Sequence, residues 1–335
     1  MSKPYIIAEI GVNHNGEIAI AKECITAALK AGADAVKFQY FNADSLAAPD
    51  TPKADYQNRS VATHLSHRDM LKQLELNFKQ ISEIYFFCKN ASIDFICTPY
   101  GVNEASELKK MGMTKFKTAS LDLTDYFLHD WLANNAEEVI IATGAANYDD
   151  ILECLKLYEG CSTKIILLHC VSNYPCSDDA LNLFNIVELS KRFGHEVGFS
   201  DHSVDSTAAQ ISCALGIKMI ERHFTLSKMM IGPDHQASDT PEMFSKYVDD
   251  VQRAVKMLGT NKKSLREEEK SISIASRKSL VWAKSLPAGS LTKKSDFTAR
   301  RPGTGIMPMK VHDLIGKKLQ KNVISGEIAK VTDVK

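Results

Sequence analysis

Three observations in this 335-residue chain predict an α/β fold, a TIM (β/α)8 barrel followed by a small C-terminal domain. Short β-rich runs recur eight times. Stretches of helical spacing alternate with them. The eight units fill roughly 260 residues, the count and size of such a barrel. The β-rich runs fall at 5–10, 35–40, 94–98, 115–117, 139–143, 165–169, 196–200 and 219–223. Helical spacing follows at 19–29, 78–89, 102–111, 149–157, 204–215 and 240–258, among others. Alternation of this kind implies a parallel sheet with covering helices. A doubly wound open sheet is the alternative. It usually has fewer strands and often a Gly-rich phosphate loop after the first. Here Gly11 and Gly16 flank Val12-Asn13-His14-Asn15, which is not that fingerprint.

After Leu258 the pattern changes. A polar, charged run reads as a linker, and a compact tail with its own turns follows, at Pro287-Ala288-Gly289, Pro302-Gly303 and Ile324-Ser325-Gly326. The expected division is a barrel over 1–260, a linker over 261–274 and a C-terminal domain over 275–335. A tail of about 60 residues is near the lower limit for independent folding, so it is expected to rest on its own barrel or on a partner subunit. A long insertion, 41–77, follows the second strand and carries Pro49, Pro52 and the run His64-Leu65-Ser66-His67-Arg68-Asp69. Loops this long are often functional, and they are also tolerated as surface excursions.

Composition excludes several classes. Lys+Arg and Asp+Glu both total 41, so no basic field attracts nucleic acid or an anionic membrane. No export signal is visible, and no apolar run approaches the ~18 residues of a membrane span. The eight cysteines are scattered singly, with no Cys-x-x-Cys. They read as reduced thiols in a cytoplasmic protein.

In a TIM barrel the active site sits at the C-terminal ends of the strands. This converts the strand pattern into candidate residues: Glu9, Asn13 and His14 from the first, Lys37 and Gln39 from the second, Thr98 from the third. The fourth leads to Lys117, Ser120 and Asp122, and the fifth to Thr143-Gly144. The sixth gives His169, Ser172 and Tyr174, the seventh Ser200 and His202, the eighth His223, with Asp234 shortly after. Lys37 and Lys117 offer positive charge to an anion, and Thr98, Ser120 and Ser200 offer hydroxyl donors. Glu9 and Asp122 are candidates for acid, base or sugar-hydroxyl acceptor. Singly, Lys37 also reads as a rim lysine, Glu9 as its buried partner, and His169 as a packed core histidine. His202 and His223 close consecutive strands, which lie about 4.8 Å apart in a parallel sheet. Two imidazoles leave most of a divalent ion's coordination sphere open, as a catalytic ion needs. His14, His64, His67, His129, His195 and His312 lack comparable support.

These residues sit in motifs that resemble the sialic acid synthase family. They are Ile7-Ala8-Glu9-Ile10-Gly11-Val12-Asn13-His14-Asn15-Gly16, Val36-Lys37-Phe38-Gln39, Thr98-Pro99-Tyr100, His169-Cys170-Val171-Ser172-Asn173-Tyr174-Pro175, Gly198-Phe199-Ser200-Asp201-His202, Glu221-Arg222-His223-Phe224 and Gly232-Pro233-Asp234-His235. The tail, with Arg277-Lys278-Ser279 and Arg300-Arg301-Pro302-Gly303-Thr304-Gly305, resembles the family's antifreeze-like domain. The likeness covers essentially the whole chain.

The resemblance implies condensation of phosphoenolpyruvate with an N-acetylated hexose aldehyde, releasing phosphate and a nine-carbon 2-keto acid. It implies a divalent metal, manganese first and magnesium or cobalt as substitutes, held by His202 and His223. Lys37, Thr98, Ser120 and Ser200 would hold phosphoenolpyruvate, and Lys117 and Ser172 are expected among the substrate-binding residues. Glu9, Gln39, Asp122, Tyr174 and Asp234 would handle the sugar and proton transfer. Arg301 would reach the sugar in the other barrel of a domain-exchanged homodimer. The product first expected is N-acetylneuraminate, with a legionaminic or related diacetamido acid as the alternative. A non-catalytic sugar-binding protein is the reading from a different class. Three departures stand out: Asp122 where many relatives have glutamate, Ala142 where serine is common, and Ser172 in place of an asparagine. The first bears on the sugar, the others on phosphoenolpyruvate contacts. The segment Lys53-Ala54-Asp55-Tyr56-Gln57 does not separate sialic from legionaminic synthases.

Overall fold

The computed structural model describes residues 3–48, 51–52 and 66–335. His64 and the segment 53–57 lie outside the described residues. The chain divides into two compact units, Met1–Thr260 and Asn261–Lys335.

The first unit is a parallel barrel. Its strands are β1 (Tyr5–Gly11), β2 (Ala35–Tyr40), β3 (Asp94–Pro99), β4 (Lys115–Thr118), β5 (Glu138–Ala142), β6 (Lys164–Cys170), β7 (Glu196–Asp201) and β8 (Met219–His223). The spatial order β3-β2-β1-β8-β7-β6-β5-β4 follows the sequence around a ring. Pairing of β1 with β8 brings the ends of the chain pattern together, and β3 lies beside β4, so the ring is nearly closed. The doubly wound alternative is thereby set aside.

Alternation along each strand separates two cores. Outward residues such as Ile6, Ala8, Val36, Phe38, Ile141, Leu167, Phe199 and Ile220 pack under the helices in the main core. Inward residues Ile7, Ala35, Ile96, Ile140, Ile166, Leu168 and Met219 form a separate cluster inside the barrel. The helices start where side chains take up their free N–H groups. Asn77 and Gln80 form a reciprocal cap on Phe78–Ala91, and Thr240 caps Pro241–Leu258, with proline in its first turn.

Two segments between strands refine the sequence reading. The helix that follows β4 is Tyr126–Asn135. It is rich in aromatic, Asp and Asn residues of modest helix propensity, and Asp125 accepts from the Leu128 N–H to start it. In the insertion after β2, the helices Ala43–Leu46 and His67–Leu74 bury Ala43, Met70, Leu71 and Leu74 against Val12 and Phe41. The described part of the insertion therefore packs onto the loop after β1.

The second unit pairs β9 (Ser279–Trp282) with β10 (Phe297–Arg300) in antiparallel fashion. Leu280, Trp282, Leu314, Leu319, Val323, Ala329 and Val334 form its core. The helix Lys270–Ser276 lies within this unit. All eight cysteines are free thiols. Among the described residues, no helix is long and apolar enough to cross a membrane.

Candidate active site

One step of the pleat above the apolar cluster, the barrel interior becomes ionic. Glu9 follows Ile7, Lys37 follows Ala35, Thr98 follows Ile96, and Glu221 follows Met219. Each pair points inward because side chains repeat every two residues. Register places Glu9 beside Lys37 on one side and His223 on the other, and Ser200 beside Glu221.

The charges are paired. Lys37 Nζ lies 2.9 Å from Glu9 Oε2 and 3.8 Å from Glu221 Oε2. Lys117 Nζ lies 3.6 Å from the same Glu221 oxygen. Ser200 Oγ donates to Glu221 Oε1 at 3.1 Å, Lys37 Nζ to Thr98 Oγ1 at 3.4 Å, and Gln39 Nε2 to Glu9 Oε1 at 3.0 Å. All four ionic residues are buried. Burial opposes ionisation of Glu221, but Lys117 and Lys37 outweigh it and pull its carboxyl down to about 2. Burial also opposes the Lys37 charge, and Glu221 with Glu9 overcome it, so the ammonium is held above its usual value. For Glu9 burial wins and the carboxyl is raised; for Lys117 burial wins and the ammonium is lowered. This layer can therefore offer Lys37 and Lys117 to an anion.

The two histidines meet above this layer. Their ring centroids are 5.4 Å apart, and Tyr174 packs at a tilt 4.1 Å from His202 and meets His223 edge-on at 5.4 Å. His202 Nδ1 lies 2.8 Å from the Val171 carbonyl oxygen, and its Nε2, 3.4 Å from Ser200 Oγ, is the nitrogen a ligand would meet. His223 Nδ1 is buried with no hydrogen-bond partner. A buried ring nitrogen left this way is costly unless something binds it. Burial, then the neighbouring His202, hold His223 well below its usual pKa, in the neutral form that metals bind. The donor set thus fits a divalent ion. Among the described residues no group of three or more His, Cys, Asp or Glu is placed to hold one, so the ion would take two protein ligands.

The remaining candidates surround this centre. Ser120 Oγ accepts from the Gly144 N–H at 3.1 Å. A side chain at Gly144 would collide with the hydroxyls of Ser172 and Ser120, which explains the glycine after Thr143. Asp122 lies in the short turn Ser120–Thr124; its Oδ2 has no partner, and burial, then Asp125, push its carboxyl up to about 7. Asp234 sits in the loop after β8, where burial, then the Glu9 charge, raise its carboxyl to about 6. His169 faces the outer core: its Nε2 pairs with the Leu181 carbonyl at 2.7 Å and its ring stacks on Phe199. Arg301 is exposed on the second unit, where its Nε donates to the Ser276 carbonyl at 3.1 Å.

Glu221, which binds both lysines, was quoted in a motif but not chosen as a site residue. Its local signal is limited to the inward face it shares with His223, two residues on. Cys170, 3.8 Å from His202 Nδ1, was passed over in the same way.

The fold defines the class, a TIM-like barrel whose strand ends carry the candidate residues. Residues 24–263 match the NeuB family and residues 277–335 match the SAF domain, and the chain belongs to the NeuB family. It is 36% identical to the N,N'-diacetyllegionaminic acid synthase of Campylobacter jejuni, over 98% of this chain and 99% of that protein. It is 34% identical to the enzyme of the same name from Legionella pneumophila, over 96% of this chain and 92% of that one. Among solved structures, the N-acetylneuraminic acid synthetase of Leptospira borgpetersenii, in complex with citrate, is 28% identical with a TM-score of 0.72. The match covers 81% of this chain and 90% of that one.

Proposed function

We propose that this protein is a nonulosonic acid synthase that condenses phosphoenolpyruvate with a diacetamido sugar of the mannose type, giving a legionaminic-type acid and phosphate. The observation that carries the reaction is the buried Glu9–Lys37–Glu221–Lys117 layer at the strand ends that also bring two imidazoles edge to face. The relatives move the sugar: the two diacetyllegionaminic acid synthases are nearer in sequence than the N-acetylneuraminic acid synthetase, so the diacetamido alternative replaces N-acetylneuraminate as the main reading.

In this reading the methylene carbon of phosphoenolpyruvate bonds to the aldehyde carbon, water adds to the adjacent cationic carbon, and phosphate leaves. Lys37 and Lys117 hold the phosphate and carboxylate of phosphoenolpyruvate, with hydroxyls from Thr98, Ser120, Ser172 and Ser200 fixing its orientation. Glu221 pairs with both lysines inside the barrel. Glu9, aimed by Gln39, and Asp234 hold and pass the proton that the aldehyde oxygen takes up as the carbon–carbon bond forms. Tyr174 lies against both imidazoles and excludes water. A divalent ion, when bound by His202 and His223, supplies Lewis-acid polarisation of that aldehyde. Asp122, one methylene shorter than glutamate, leaves room toward the sugar. Arg301 meets the sugar in the barrel of a second copy, as a domain-exchanged homodimer requires.

The test is phosphate release from phosphoenolpyruvate with added Mn²⁺, comparing the diacetamido sugar with N-acetylmannosamine. Faster turnover of the diacetamido sugar is expected. Preference for N-acetylmannosamine overturns the sugar, and no release with either overturns the synthase reading.

A further inference from the structure

The motif Asn13-His14-Asn15-Gly16 supplies no residue to the ionic layer, yet two of its side chains cross to the loop after β8. Asn13 Nδ2 donates to the Phe224 carbonyl at 2.9 Å and to Ser238 Oγ at 2.8 Å. Ser238 Oγ in turn donates to the Asp234 carbonyl at 2.7 Å. Asn15 Nδ2 donates to the Ile231 carbonyl at 3.0 Å. The stretch from Ile231 to Ser238 is thus pinned at both ends by β1's loop, and Asp234 lies between the pins.

A third contact runs through His235, which is fully buried. Its Nε2 lies 3.1 Å from Asn15 Oδ1, and its Nδ1 lies 2.7 Å from Thr225 Oγ1. The roles follow from what each atom can do. Asn15 Oδ1 only accepts, so His235 Nε2 carries the proton and donates. A neutral ring then leaves Nδ1 as acceptor for the Thr225 hydroxyl. Gly232 passes directly over this contact. A Cβ there would lie 2.6 Å from His235 Cδ2 and 2.8 Å from Asn15 Oδ1, so only glycine fits. Asn15 itself holds a left-handed backbone, φ 51°, which asparagine tolerates better than most residues.

We propose that Asn15 and His235 are positioning residues that fix the stretch carrying Asp234, coupling the loop after β1 to the loop after β8. The proposal rests on the role of Asp234 in the reading above. It explains why Asn-His-Asn-Gly and Gly-Pro-Asp-His occur in one chain: they are two halves of one latch. A misplacement of about 1 Å at a reacting group costs on the order of a hundredfold in rate.

The test compares Asn15→Ala, His235→Ala, His235→Gln and Asp234→Asn with the wild-type enzyme in the phosphate-release assay at saturating substrates. Asn15→Ala and His235→Ala are expected to lower kcat by roughly tenfold to a hundredfold with little change in the KM for phosphoenolpyruvate. His235→Gln, which keeps a donor toward Asn15, is expected to recover a large part of the rate. Adding Asp234→Asn to Asn15→Ala is expected to cost nothing further, since the carboxylate is already displaced. Multiplicative losses in that double variant, or full kcat in the latch variants beside a slow Asp234→Asn, overturn the latch. Unchanged rate in Asp234→Asn with an active wild type overturns instead the role of Asp234. A variant that fails to fold is replaced by Asn15→Asp, which keeps the acceptor for His235 and loses the Ile231 contact; wild-type kcat there counts against the Ile231 pin.

Discussion

Two layers inside the same barrel, one pleat apart, have opposite chemistry. The lower layer, with Ile7, Ala35, Ile96, Ile140, Ile166, Leu168 and Met219, is wholly apolar. The upper layer, with Glu9, Lys37, Lys117 and Glu221, is ionic and as thoroughly buried. The lower layer stabilises by excluding water. The upper layer is costly to bury and is held by mutual pairing, so each of its groups depends on the others. Apolar and polar side chains are separated by a single two-residue step along β1, β2, β3 and β8.

That separation can be broken from above or below. The largest effect is expected for His202→Ala or His223→Ala: activity and Mn²⁺ binding vanish while circular dichroism and melting stay near wild type. Undiminished turnover would remove both from the ligand set. Next, Glu221→Ala leaves two ammoniums buried with one partner between them. It is expected to cost about 3–5 kcal/mol in urea unfolding and to abolish turnover, whereas Glu221→Gln keeps the shape and costs less. Equal stability of Glu221→Ala and wild type would mean that the lysines do not depend on that carboxylate.

A comparable loss of stability without loss of chemistry is expected from the lower layer. Ile166→Ala or Met219→Ala should cost about 2–5 kcal/mol while the folded fraction keeps the wild-type KM for phosphoenolpyruvate. A changed KM would show that the layers are not separable. A smaller, pH-dependent effect belongs to Asp122, whose folded carboxyl is pushed up to about 7. A raised carboxyl binds its proton more tightly in the folded state. The stability it lends is therefore full below about pH 4, the ordinary range of an unfolded aspartate, and is lost as pH rises through 7. Melting temperature against pH should fall over that window in the wild type, and more gently in Asp122→Asn. Parallel curves would place Asp122 in an ordinary aqueous setting.

The sequence made different parts of this picture legible to different degrees. Eight strands were readable because each is short, β-rich and bounded by polar ends; their limits in the structure agree to within about two residues. Candidate residues at strand ends were readable because barrel topology converts chain position into location. Glu9, Lys37, Thr98, Lys117 and Ser200 come together in the ionic layer. The bounds of the helix Tyr126–Asn135 were less readable, since several of its residues carry weak helical preference and its start depends on the Asp125 cap. Glu221 was not legible as a site residue because its partners Lys37 and Lys117 stand on other strands, and only the closed barrel brings them to it.

Local pattern by itself determined the barrel, its strand order and the identity of the motifs, because period-two and helical spacing are written residue by residue. Only the tertiary structure decided the charge states and the partnerships. That Glu221 serves both Lys37 and Lys117, that His223 keeps a ring nitrogen unpartnered, and that Asn15 reaches His235 across 220 positions of chain are facts of neighbourhood. They arise because closing the ring brings the first strand beside the last, and no local window of sequence contains both.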